Sequence, residues 1–116
     1  IAPPGAERER LYRLIRDTGA SGVVVLSGDR HIGGIYREAN ATLPYPLYEL
    51  TSSGVTHPWT TAREAGPNRM DPLVTVVHYG LVEADFAARQ LTLGLRDVND
   101  RPLHRHTIAF DELRIT

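Results

Sequence analysis

The sequence predicts a small mixed α/β (α+β) fold: one helix, a buried central strand and an antiparallel meander. Three observations carry that expectation. Leu11, Leu14 and Ile15 recur at i, i+3 and i+4 in a charged stretch, with Tyr12 beside them, the spacing of a helix face. Val23, Val24, Val25 and Leu26 form an unbroken, mostly β-branched run between two Ser-Gly pairs, the pattern of a strand covered on both faces. Leu91, Leu93 and Leu95 alternate with Thr92, Gly94 and Arg96, the two-residue period of a half-buried strand.

Taken in order, residues 1–5 (with Pro3-Pro4-Gly5) read as an extended linker. The helix spans 6–18. Glu7 and Glu9 load its first turn, Glu9 and Arg13 are spaced as an i,i+4 pair, Arg16 suits the carboxyl end, and Gly19 stops it. The buried strand runs straight into Ser27-Gly28-Asp29-Arg30-His31. Residues 32–38 follow as a short helix or a strand, and the pattern leaves both open. A further strand is expected over 47–52. From 54 to 72 the chain is irregular, broken by Pro58, Gly66-Pro67-Asn68 and Pro72, and loops of that length are commonly functional. Strands over 75–86, 90–96 and 103–110 then form the meander, joined at Ala87-Ala88-Arg89 and Asn99-Asp100.

The 116 residues, 41% hydrophobic and 23% charged, suit one packed domain. Thirteen basic against fourteen acidic residues leave a net charge of −1, so no basic footprint makes nucleic acid or an anionic membrane a default partner. No apolar run approaches the ~20 residues of a membrane-spanning helix. The chain has no cysteine, which excludes disulfides, thiolate metal sites and a cysteine nucleophile. All thirteen basic residues are arginine, which excludes a Schiff-base or P-loop lysine.

Chemistry is best placed at Ser27-Gly28-Asp29-Arg30-His31, beyond the carboxyl end of a buried strand, where open α/β sheets bind ligands. In an extended segment Asp29 and His31 point to one side, and a converging carboxylate and imidazole hold a divalent metal. The bland alternative is that Asp29 makes a turn and His31 is a surface histidine. A second candidate is Thr51-Ser52-Ser53-Gly54-Val55-Thr56-His57-Pro58-Trp59. Its His57 suits a general acid for a leaving group; the alternative is an ordinary turn with Trp59 plugging the core. His104 and His106 share a strand face in the meander, with no carboxylate companion expected. They read as a partly exposed face before a metal site. His78, alone in an apolar strand, reads as a satisfied buried side chain. No G-x-S-x-G elbow, P-loop or G-x-G-x-x-G is present.

These residues carry a resemblance. Gly22-Val23-Val24-Val25-Leu26-Ser27-Gly28-Asp29-Arg30-His31 is similar to the V-x-x-L-S-G-D-x-H segment of alkaline phosphatase D-like (PhoD-like) metallophosphatases. Glu7-Arg8-Glu9-Arg10-Leu11 resembles the preceding helix. Tyr45-Pro46-Leu47-Tyr48-Glu49-Leu50-Thr51-Ser52-Ser53-Gly54-Val55-Thr56-His57 resembles the family's P-L-Y-x-L-T-S-S-G-x-T-H segment. Tyr79-Gly80-Leu81-Val82-Glu83 and Leu95-Arg96-Asp97-Val98-Asn99 resemble its closing strands.

The resemblance implies a calcineurin-like metallophosphoesterase, with two mixed sheets packed face to face and helices outside. Such enzymes hydrolyse phosphate mono- or diesters at a cluster of metal ions (calcium, iron, manganese or zinc), and are often exported. It implies Asp29 and His31 as the last metal-ligand motif, with Arg30 between them and His57 near the same cleft as catalytic candidates. The family's other ligands lie on strands upstream, and residues 1–22 supply none of them. Two ligands fall short of the three that even a single catalytic zinc takes. The chain therefore reads as the carboxyl-terminal half of such a sandwich, a phosphatase domain portion over 1–116, inactive alone. Its expected partners are a phosphate ester, the missing amino-terminal half and possible further copies of itself. A non-catalytic module that docks on another domain or self-associates is the alternative.

Overall fold

The structure is a computed structural model, described over residues 5–63 and 66–115. Helix α1 (Ala6–Thr18) leads to β1 (Val24–Ser27), β2 (Gly33–Glu38) and β3 (Leu47–Ser52). After a long irregular connection come β4 (His78–Asp85), β5 (Gln90–Asp97), β6 (Pro102–Ala109) and a 3-10 turn over Phe110–Leu113. The strands form two three-stranded sheets, ordered β1-β3-β2 and β4-β5-β6. β1 runs parallel to β3, with Val24 opposite Tyr48 and Ser27 opposite Thr51. Every other strand pairing is antiparallel. The fold is thus mixed α/β with one helix, and its carboxyl third is a meander, as predicted.

The helix forms where its spacing puts it and ends at Gly19, whose φ of 69° is left-handed and whose N–H donates to the Arg16 carbonyl. Its inward face differs from the expectation. Tyr12 and Ile15 are buried, whereas Leu11 and Leu14 are 42% and 58% exposed. The Tyr12 hydroxyl donates to the Glu38 carboxylate of β2, which turns this face of the helix toward the sheet. Glu9 accepts from the Thr42 hydroxyl at 3.4 Å, and it is Glu7 that pairs with Arg10. Residues 1–4 of the expected linker lie outside the described residues.

The expectation of a buried central strand is corrected. β3 is the middle strand and β1 lies at the edge, with Leu26 64% exposed. The reason is visible at the other edge of this sheet. Residues 68–74 lie along β2: Arg37 N–H donates to the Asn68 carbonyl, Met70 N–H to that of Ile35, and Gly33 and Val74 exchange bonds of 2.9 and 2.8 Å. Among the described residues no strand pairs with the free edge of β1. An apolar run signals what a strand needs over it, not whether the same chain supplies it.

Residues 32–38 resolve as a strand, because Gly33 and Gly34 pair with Ser52 and Thr51 and continue the β3 ladder. β4 starts at His78 and not at 75, since Val74 is already bonded to β2. The two sheets meet where β3 and β2 pass beneath β4 and β5. Leu50, Ile35, Leu93, Leu95 and Ile108 fill the space between them. Tyr45 ties helix end to strand start: its hydroxyl donates to the Ala20 carbonyl at 2.5 Å and accepts from Val23 N–H at 3.3 Å.

Candidate functional site

Because β1 and β3 are parallel and in register, their carboxyl ends leave the sheet side by side. The loop after β1 carries Gly28, Asp29, Arg30 and His31; the chain after β3 carries Ser53, Gly54 and His57. Hydrogen bonds join the two. His31 N–H donates to Ser53 Oγ at 2.8 Å, Trp59 N–H donates to the His31 carbonyl at 2.7 Å, and Ser53 N–H donates to the Ile32 carbonyl at 3.2 Å.

The loop is not extended. Asp29 and His31 both have left-handed backbones, at φ 76° and 59°. Asp and His tolerate that region better than most residues, though such geometry costs on the order of 1 kcal/mol each and concentrates at functional sites. The expectation that Asp29 and His31 align by two-residue strand alternation therefore fails. They are brought onto one loop by turn geometry, and both are exposed. Arg30 lines a cleft of about 650 Å³ between α1 and the first sheet, together with Ser27, Tyr36, Glu49 and Thr51. Within it Ser27 Oγ donates to the Glu49 carboxylate at 2.6 Å.

His57 is exposed and its Nδ1 lies 3.0 Å from the Thr56 hydroxyl. Trp59 is 51% exposed, so it is no core plug. His78 is buried at the start of β4, behind these loops. Its Nδ1 is 2.7 Å from the Val76 carbonyl, while Nε2 has no hydrogen-bond partner among the described residues, so there it is half satisfied and not fully so. His104 and His106 do have a carboxylate companion, which the folded chain brings from the long connection. His106 Nε2 is 2.6 Å from Asp71 Oδ2, and His104 Nε2 is 2.9 Å from the Pro72 carbonyl.

A carboxylate beside an imidazole is a donor pair suited to manganese, iron or zinc, and less to calcium, which prefers oxygen throughout. Among the described residues no group of three or more His, Cys, Asp or Glu is gathered to hold a metal ion. Asp29 and His31 bring two of the donor types a metal site uses, and among the described residues no third is gathered with them. Sequence reasoning missed Ser53, whose hydroxyl-rich surroundings were noticed only for His57. It also missed Asp71, for which no local signal exists. Among the described residues no helix is long and apolar enough to cross a membrane. No family model, curated protein or solved structure matches the chain.

Proposed function

We propose that this chain is part of a metal-dependent phosphoesterase acting on phosphate mono- or diesters. In this reading Asp29 and His31 are metal ligands, Arg30 binds a phosphoryl oxygen, and His57 is the general acid toward the leaving group. The chain is then the carboxyl-terminal half of a PhoD-like two-sheet sandwich, completed by ligands from an amino-terminal half. The observation that carries the proposal is the junction of the Asp29–His31 loop with the Ser53–His57 segment beyond the carboxyl ends of β1 and β3. The test is made on the longest polypeptide its gene encodes, loaded in turn with calcium, iron, manganese and zinc. Hydrolysis of p-nitrophenyl phosphate or its diester is expected, falling at least a hundredfold in Asp29→Ala and His31→Ala. No hydrolysis under any loading, or full activity in both variants, sinks the proposal. The 116 residues alone are expected to be inactive.

The open edge of β1 favours a second reading, a docking module whose first sheet is extended by a partner strand. Its test is association: the isolated chain is expected to self-associate through β1, and Leu26→Lys to shift it toward monomer.

A further inference from the structure

Both backbone polar groups of His31 are taken by the chain after β3. Its N–H is bound by Ser53 Oγ at 2.8 Å and its carbonyl by Trp59 N–H at 2.7 Å. Between those two bonds His31 holds a left-handed φ of 59°, a conformation that costs on the order of 1 kcal/mol and that the two bonds offset. Ser53 is the side chain in that clamp. It is itself fixed, since its own N–H donates to the Ile32 carbonyl at 3.2 Å. A Cβ at Gly28 would sit 3.4 Å from that of Ser53, in ordinary van der Waals contact, so the two loops lie close at this point.

We propose that Ser53 is the positioning residue of His31: its hydroxyl holds the left-handed turn that fixes where His31, two residues after Asp29, offers its imidazole to a metal ion. Ser53 touches neither metal nor substrate; it acts through the His31 backbone. A hydroxyl suits the task because it accepts from the His31 N–H while the Ser53 N–H donates to the Ile32 carbonyl, closing the two loops with one residue. The inference rests on the metal-ligand reading of Asp29 and His31 and is tested separately from it.

The test uses the longest polypeptide the gene encodes, metal-free and 15N-labelled, with two readouts. In the first, Mn2+ is added alone and paramagnetic broadening of the Asp29 and His31 amides is followed, with Asp29→Ala as the control that abolishes it. Ser53→Ala is expected to raise the half-broadening concentration several-fold, and Ser53→Thr, which keeps the hydroxyl, to restore it. In the second, hydrogen exchange at the His31 amide, without metal, is expected to speed up about tenfold in Ser53→Ala while β5 amides are unchanged. Both changes, with rescue by threonine, support the assignment. Parent-like broadening in Ser53→Ala overturns the role of Ser53 and leaves the ligands standing. An unchanged exchange rate at His31 overturns it as well. Absence of broadening in the parent chain overturns the ligand reading on which it rests.

Discussion

At the scale of the residue, two glycines make room for one ring. A Cβ on Gly33 would lie 2.7 Å from His78 Nε2, and one on Gly54 would lie 2.8 Å from His78 Nδ1. His78 is only 1% exposed and its N–H bonds the Gly54 carbonyl at 3.2 Å, so the ring cannot swing away without breaking the start of β4. Gly54→Ala is therefore expected to destabilise the chain by about 1–3 kcal/mol, the usual cost of overpacking a filled core. Urea unfolding measures it, and a loss under about 0.5 kcal/mol would mean the ring has space that the geometry denies. Little of this was legible. Gly33 and Gly34 suggest a turn when read locally, and in the fold they are buried strand residues. The ring that needs the space comes from a distant strand, and a glycine acting as a spacer carries no mark of what it spaces. Asp29 and His31 were legible as a carboxylate and an imidazole two residues apart. Their left-handed backbones were not, because the turn is held by a serine beyond another strand.

At the scale of the element, the helix is fastened to the sheet through a phenol. Burial, then the hydrogen bond to Glu38 and its negative charge, push the Tyr12 hydroxyl far above its ordinary pKa of 10.0. Burial and then the hydrogen bond to Glu112 raise that of Tyr48, which ties β3 to the carboxyl-terminal turn. The sign of the linkage follows. Above about pH 10 the unfolded chain releases both phenolic protons while the folded chain retains them, so the folded state binds more protons and stability falls as pH rises. Below that value these groups contribute no slope. Tyr12→Phe is expected to flatten the alkaline limb of a stability–pH profile, and to cost about 1 kcal/mol at neutral pH for the lost hydrogen bond. Thermal unfolding between pH 7 and 11 decides it: an alkaline limb as steep in the variant as in the parent would remove Tyr12 from the account. The helix itself was legible from its spacing, but its inward pair was not. Leu11 and Leu14 satisfy the helical period as well as Tyr12 and Ile15 do, and the choice is made by Glu38 on a strand the pattern could not place.

At the scale of the whole molecule, the chain is a slab of 45 × 41 × 19 Å with a radius of gyration of 15.0 Å. A globular domain of this length is expected near 13 Å. The excess comes from two small sheets that share one limited contact, which leaves Leu26, Val82 and Phe86 exposed at their margins. The sequence announced the need for cover, in the run from Val23 to Leu26, but not its source. Length and pattern speak of how much a chain must bury, and only topology says what stays open. One edge of the first sheet is closed by residues 68–74, and the other, at β1, is apolar and unpaired among the described residues. Such an edge is a template for another strand. The isolated chain is accordingly expected to associate as its concentration rises, through β1. Leu26→Lys places a charge on that edge without touching the core, since Leu26 is already mostly exposed. It is expected to shift the sedimentation profile toward monomer while changing stability by no more than about 0.5 kcal/mol, the range of an ordinary surface substitution. A parent chain that sediments as a monomer at every concentration would show that the edge is closed by its own shortness, four residues being too few to hold a neighbour. Association that Leu26→Lys leaves intact would move the contact elsewhere, to the margin formed by Phe86 and Phe110.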